Sequence, residues 1–583
     1  MFQRLDRLIE EQKWEEAREL LGMLEKTQEP SDRLAVYNAM VYLEEGRIDE
    51  ARQCITVGMI CNPSNYELYY LLGNSYLNQN INQAYLCYEQ AFYYCTDHDA
   101  GTVLEENMSF IRSLDGFEVH PSSIVILSYH GIEILERCVE SVRKTCAESM
   151  YELIVVDDSL DDSAGQWLKR QKDIVSRCNN RELSPAQGYN QGIALAGRSN
   201  DIFLLDSNSV IPPNAVFWLR MGLYERECTG AACPLSNSAS NYQQIKIVLD
   251  TVEEYMKLAE SIHMPMPNPY ENKIYAVGSA MLIKRRAMDG VGVLDGQYKS
   301  VLEDLDYGMA LSAAGYEILL CNNAFVYHDE RLEGQRNAGG AAGRDEMYGR
   351  LVDKKRLVEK WGIDPAYYMN IRKDMAEEIK EEPDARFRVL EVGCGCGSTL
   401  SYIKWKYPNA EVYGIETVAK AARLGKYLAD ILIGNVETME FPYVNQMFDY
   451  IFFGDVLEHL HNPQKVILDL KKYLRPNGRI YASIPNLLNG SVIAPLLRGE
   501  FTYKESGLLD KTHIHFFTRY EIEKMFWEAG FGIEKISANM IWEKDRMKEG
   551  DRELLEALCK LPGVVPKEEF EAYQYFIVAK LCS

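Results

Sequence analysis

Over the first hundred or so positions, hydrophobic residues recur at helical spacing around small residues that themselves repeat at long range. The segments QKWEEARELL, GRIDEARQCI and NINQAYLCYE align on Ala17, Ala51 and Ala84, which stand 34 and 33 residues apart. A period of that length marks stacked helix pairs, in which a small side chain lets two helices cross closely. From about residue 120 the pattern changes. Short apolar runs (SSIVILSY, ELIVV, DIFLL) alternate with amphipathic stretches such as ILERCVESVRKTC. That alternation predicts a mostly parallel sheet with helices on both faces. The acidic stretch KDMAEEIKEEPDAR (373–386) reads as a linker, and a second alternating unit follows through RVLEV, AEVYGIE, FDYIFFG, GRIYASIPN and YQYFIVAKL. The predicted chain is therefore multidomain: an α-helical repeat over 1–112, an α/β unit over 120–372 and a second α/β unit over 387–583.

Composition narrows the chemistry. The net charge of −24 argues against a nucleic-acid partner, which would want a basic face. Any bound phosphate must then be neutralised by backbone N–H groups, a metal or a few placed cations. The 14 cysteines form no paired framework, which reads as a reduced, cytoplasmic protein. The charged N-terminus is no signal peptide, and no run approaches the roughly 18–20 apolar residues of a membrane span. Peripheral membrane contact stays open.

In sheets of this kind ligands sit beyond the carboxyl ends of the strands. Three acidic clusters fall there: Asp157-Asp158 after ELIVV, Asp206 after DIFLL, and Glu303-Asp304 in VLEDLDYGMALSAAGY. With SIVILSY, AQGYNQGIALA, GSAMLIKRRA and VYH at 326–328, this order resembles the family 2 glycosyltransferases, the inverting class with a GT-A nucleotide-sugar fold. The resemblance implies that Asp157 bonds the nucleobase of a nucleotide-sugar donor, and that Asp206 and Asn208 face the diphosphate and a divalent cation, Mn or Mg. It further implies His328 as a metal ligand and Asp304 as the general base. Asn208 stands where a second acid is expected; an amide oxygen ligates a hard cation but brings no charge, which puts metal dependence in question. Each residue also has a plainer reading. Asp157 and Asp158 suit a helix cap, and Glu303, Asp304 and Asp306 suit a helix N-terminus. His328 suits a structural histidine. The glycine-rich stretch after it, with Arg331, Arg336 and Arg344, reads equally as a lid over the diphosphate or a surface loop.

In the last unit RVLEVGCGCGSTL places Gly393, Gly395 and Gly397 directly after a strand, and Glu416 follows 19 residues after Gly397. A glycine turn with an acid at the next strand end cradles a nucleoside. Together with FDYIFFGDVLEHLHNP, LRPNGRIYASIPN and DKTHIHFFT, it is similar to the class I S-adenosylmethionine-dependent methyltransferases, whose fold is Rossmann-like. The resemblance implies Glu391, Gly393, Gly395, Gly397, Glu416, Asn435 and Asp455 as S-adenosylmethionine-binding residues. Asp455-x-x-Glu458-His459 resembles the Glu-x-x-Glu-His of quinone-type O-methyltransferases, in which the histidine acts as base or the trio binds a metal; helix packing is the plainer account of His459. His513 and His515 alternate in strand fashion and would face one side, as acceptor-pocket residues or as buried, bonded rings.

The period and Gly73, Tyr76 and Asn62-Pro63 resemble tetratricopeptide repeats, implying a surface for a protein partner or for self-association, or else a helical cap on the next domain. The expected function is bifunctional glycan assembly: inverting sugar transfer from a nucleotide-sugar to a glycan or glycoconjugate acceptor, and O-methylation of a sugar. The alternative is an active methyltransferase carrying a degenerate, sugar-binding but non-catalytic glycosyltransferase domain and a repeat adaptor.

Overall fold

A computed structural model describes residues 1–582 apart from 130, 148–149, 160–161, 180, 182, 300–301, 330–339 and 541–549, with backbone alone over 340–348. Arg331 and Arg336 lie outside the described residues, as does the side chain of Arg344. The chain forms two compact units, Met1–Lys360 and Trp361–Ser583. No helix among the described residues is long and apolar enough to cross a membrane.

The first unit opens with helices from Phe2–Glu10 to His98–Arg112. Ala17, Ala51 and Ala84 are fully buried on helices Trp14–Glu25, Ile48–Cys61 and Ile81–Tyr94. Close crossing shows at Gly73, where a Cβ would stand 2.4 Å from the Tyr88 ring. Helix Ile81–Tyr94 packs on helix Ala215–Leu223, whose residues are buried almost all round, as a helix enclosed on every side must be. Gln83 donates to the Met221 carbonyl at 2.9 Å, Gln90 and Tyr94 both donate to Asn214 Oδ1, and Arg220 forms a buried ion pair with Glu89. The last of these helices therefore share one core with the sheet behind them.

That sheet contains β1 (Ser122–Ser128), β2 (Tyr151–Asp157), β3 (Ile174–Cys178), β4 (Asp201–Asp206), β5 (Ser209–Val210), β6 (Thr229–Ser236), β7 (Tyr270–Lys273), β8 (Ala280–Ile283) and β9 (Glu317–His328). Their order is β3-β2-β1-β4-β8-β6-β9-β5, with β7 also on β9. Every residue of β1 is buried, the mark of a central parallel strand covered on both faces. β3 was not legible in sequence, because only its first residue is buried.

The second unit has β10 (Arg388–Val392), β11 (Glu411–Glu416), β12 (Asp430–Ile433), β13 (Phe448–Gly454), β14 (Leu474–Pro485), β15 (Phe531–Asn539) and β16 (Gln574–Leu581). Their order is β12-β11-β10-β13-β14-β16-β15; the first five are parallel, and β16 runs antiparallel to β14 and β15. The order reverses between β10 and β13, a crevice where ligands gather at strand ends. The stretch expected as a linker belongs to this unit instead: Met375, Ala376 and Ile379 are buried beside Phe387 and Val389. Its apolar residues were hidden among many carboxylates. His513 and His515 do not form a strand either; they lie in an irregular segment whose only bridge joins Phe517 to Asn486.

Candidate active sites

In the first unit Ser128 pairs with Asp157 and Leu127 with Asp206, so the two carboxylates flank the carboxyl end of β1. Asp157 turns back on its own chain and accepts from Ser159 N at 3.2 Å. Asp158 accepts from Asn179 Nδ2 at 2.5 Å. Asp206 accepts from the Tyr189 hydroxyl at 2.5 Å. Tyr189 reaches it because helix Pro185–Ile193 presents glycines to the sheet: a Cβ on Gly192 would stand 2.2 Å from Val125 Cγ1. The second Asp206 oxygen lies 3.7 Å from Nε2 of His328. Pairing of β5 with β9, Ser209 opposite His328, puts the ring there, and Asn237 brackets the His328 backbone with two 2.8 Å bonds. Asn208 is buried, and its side-chain oxygen has no hydrogen-bond partner.

The third cluster enters on helix Glu303–Ala313, after Leu302 takes a left-handed φ of 74°. Asp304 accepts from Gly278 N at 2.9 Å and Leu305 N at 2.7 Å. Burial raises its carboxyl above the usual range against those bonds, and the charge of Asp206 adds to the rise. Burial and the neighbouring Asp304 push the Glu303 carboxyl up to about 8, and Glu303 Oε2 has no partner. Asp306 is structural: Tyr298 holds one oxygen at 3.0 Å and Lys360 the other at 2.7 Å. The rim therefore offers a carboxylate, an orphan amide oxygen and an imidazole, a donor set that fits a divalent cation. Tyr189 was missed in sequence, since its role depends on how closely its helix approaches the sheet.

In the second unit Gly393, Gly395 and Gly397 take left-handed φ values of 69°, 56° and 75°. At Gly395 a Cβ would also stand 2.5 Å from the Tyr368 carbonyl oxygen, so only glycine fits. Glu416 folds onto this loop, accepting from Gly395 N and Val418 N at 2.8 Å each. Glu391 lies beneath; burial pushes its carboxyl up to about 8, although Thr399 and Arg372 pull the other way, and its Oε2 has no partner. Asp455, at φ 55°, is held by Arg372 Nη1 at 2.6 Å and by the Ser483 hydroxyl at 2.7 Å. Asn435 is exposed and caps its own turn, accepting from Glu437 N at 2.8 Å. Arg372 is the main residue that sequence reasoning missed. It sits in a segment assigned to the preceding domain, and its only sequence signal is a lone arginine between the apolar Ile371 and Met375.

Beyond Asp455, Glu458 is 1% exposed and neither carboxylate oxygen has a hydrogen-bond partner. Burial and Asp455 push its carboxyl well above the usual range. His459 Nδ1 lies 3.1 Å from the Thr512 carbonyl and His513 Nδ1 lies 3.2 Å from the Leu508 carbonyl. A carbonyl oxygen can only accept, so each Nδ1 donates. Ligand atoms of Glu458, His459 and His513 lie within 4.8 Å of one another, a spacing that can hold a cation or pass a proton. The expected first member of the trio, Asp455, is drawn off by Arg372 and replaced by His513.

Residues 123–288 match glycosyl transferase family 2, and residues 362–536 match a methyltransferase domain. The demethylmenaquinone methyltransferase of Geobacillus sp. (strain WCH70) is 24% identical over 207 residues, covering 32% of this chain and 82% of the relative. The ubiquinone biosynthesis O-methyltransferase of Rickettsia canadensis (strain McKiel) is 23% identical over 157 residues, 26% of this chain and 65% of its own. Among solved structures, GalNAc-T7 with UDP, GalNAc and Mn2+ overlaps at a TM-score of 0.34 and 19% identity, covering 44% of this chain and 50% of that one. An S-adenosylmethionine-dependent methyltransferase from Aquifex aeolicus overlaps at 0.25 and 15% identity, covering 40% and 99%. Residues 123–288 thus carry a family 2 glycosyltransferase domain and residues 362–536 a methyltransferase domain, and the chain is an enzyme.

Proposed function

We propose that the chain is a bifunctional enzyme of glycan assembly. Its first α/β unit transfers a sugar with inversion from a nucleotide-sugar to a glycan or glycoconjugate acceptor; its second methylates a sugar hydroxyl. The observation that carries the reading is the gathering of Asp206, His328 and Asp304 around one strand rim, which an array of structural carboxylates would avoid. Asp157 bonds the nucleobase. Asp206, Asn208 and His328 hold a divalent cation, Mn or Mg, which when bound neutralises the diphosphate leaving group. Asp304 accepts the proton of the attacking hydroxyl; burial makes its carboxylate a stronger base.

In the second unit Glu391, the three loop glycines, Glu416, Asn435 and Asp455 hold S-adenosylmethionine, which supplies the methyl group. His459 keeps its Nδ1 proton against Thr512, so its Nε2 receives the proton of the acceptor hydroxyl. Joining both activities in one chain raises the local concentration of one product near the next site. We assign the enzyme to a reducing, cytoplasmic setting, in line with its 14 free cysteines. The N-terminal helices act as tetratricopeptide-like repeats, with the face away from helix Ala215–Leu223 left for a protein partner or a second copy.

The amide at 208 favours a second reading, in which the first unit binds sugar without catalysis. Calorimetric titration of a panel of nucleotide-sugars, with manganese, magnesium or chelator, separates the two. Metal-dependent binding of one donor followed by transfer supports the enzyme; binding without turnover supports the module, and no binding rejects both.

A further inference from the structure

The acceptor side of the second unit does not end at His459. Its ring packs on His513 with centroids 4.8 Å apart and planes at 70°. His513 packs on Phe516 at 6.3 Å. Phe516 meets Phe501 at 5.9 Å and Tyr503 at 6.3 Å, and those two close a triangle at 5.6 Å. Five rings make a continuous file from the candidate base to the surface. Exposure is lowest at the second ring, 9% at His513, and rises outward from there to 40% at Phe501 and 52% at Tyr503.

The chain holds the outer rings in place. Lys504 N donates to the Leu509 carbonyl at 2.8 Å and Lys511 N to the Lys504 carbonyl at 3.0 Å, folding residues 501–511 back on themselves. Tyr367, one residue before the carbonyl that packs on Gly395, donates to Asp510 at 2.9 Å and to the Glu505 carbonyl at 3.0 Å. The platform is thereby tied to the glycine loop on which S-adenosylmethionine is proposed to sit. Among the described residues Lys511 pairs with Glu505, and Arg498 with Asp551 and Glu500, so this segment presents no cluster of unpaired cations that would select a phosphate or an acidic chain.

We infer that Phe501, Tyr503 and Phe516 form a glycan-binding platform, on which sugar units adjoining the methylated residue stack. This rests on the sugar-methylation reading above and adds the subsite that recognises the acceptor. A pyranose presents an apolar C–H face to an aromatic ring while its hydroxyl edge stays in water. An open platform provides for both. A small aromatic acceptor such as a quinol would instead call for enclosure, because compact apolar ligands bury most of their surface.

The test uses the full chain with radiolabelled S-adenosylmethionine and neutral hexasaccharides: maltohexaose, cellohexaose and chitohexaose. Phe501→Ala and Tyr503→Ala each raise the acceptor KM about tenfold, the loss appearing in KM rather than kcat. S-adenosylmethionine affinity is retained, Tyr503→Phe restores acceptor binding, and Trp527→Ala, 73% exposed on helix Arg519–Glu528, changes nothing. An unchanged KM in both alanine variants overturns the platform while sugar methylation stands. Methylation of a soluble quinol with no transfer to any saccharide overturns the underlying reading and the platform together.

Discussion

Both α/β units end their parallel strands in acids, yet they manage the resulting charge in opposite ways. In the first, Asp206, Glu303 and Asp304 lie in one another's field, and their bonds come from a tyrosine hydroxyl and two backbone N–H groups. In the second, Glu416 is met by the Gly395 N–H of the glycine loop and by the Val418 N–H, and Asp455 by Arg372 and Ser483. The first rim gains most from an added cation. In the second, Glu416 and Asp455 are ordered by their own chain, while Glu391 and Glu458 stay buried with unpartnered oxygens. Topology alone would not have separated them; the neighbours of each carboxylate do.

The widest break in that comparison comes from removing the proposed base. Asp304→Asn should slow sugar transfer by roughly 100- to 10,000-fold while nucleotide-sugar affinity changes little, read by single-turnover transfer and calorimetry on one preparation. Persistent transfer would move the base elsewhere.

Acid should next distinguish the first unit through His263. This buried ring accepts from Phe325 N at 2.9 Å, which leaves Nδ1–H to donate to the Pro213 carbonyl, and burial lowers its pKa to about 4. The unfolded chain binds a proton below about 6.5. The stabilisation is therefore complete above pH 6.5 and falls away as pH drops towards 4, by up to ~3 kcal/mol. Urea unfolding at stepped pH should show this slope, and His263→Gln should flatten it.

Smaller effects sharpen the contrast between the two rims. Glu416→Ala removes the acceptor of two charge-assisted bonds and should weaken S-adenosylmethionine binding about 10- to 100-fold by calorimetry. Undiminished affinity would reject the cofactor placement. Asn208→Asp restores a charge to the first rim and should tighten manganese binding about tenfold, measured by competition with a chelator. A neutral outcome would separate residue 208 from the metal.

Much of both sites was legible because it is local. A strand end followed by an acid, and a glycine triplet followed by Glu416, lie within a few dozen residues, and each is set by the backbone that carries it. Arg372 was not legible, since its partners Asp455 and Ser483 are 83 and 111 residues away and meet it only when β13 and β14 pair. His513 and His515 misled for a related reason: their alternation suggested a strand, but no neighbouring strand pairs with that segment beyond Phe517.

The amino-acid sequence by itself determined the two alternating units, the helical period before them, the rim acids Asp157, Asp206 and Asp304, and the glycine loop, because periodicity and strand-end chemistry act over short distances. Only the tertiary structure decided which acids share a field, that Asp306 is anchored by Tyr298 and Lys360 while Asp304 accepts from two backbone N–H groups, that Glu458 converges with His459 and His513, and that an aromatic file reaches the surface. Those facts depend on burial and on distances between segments far apart in the chain, which no local pattern encodes.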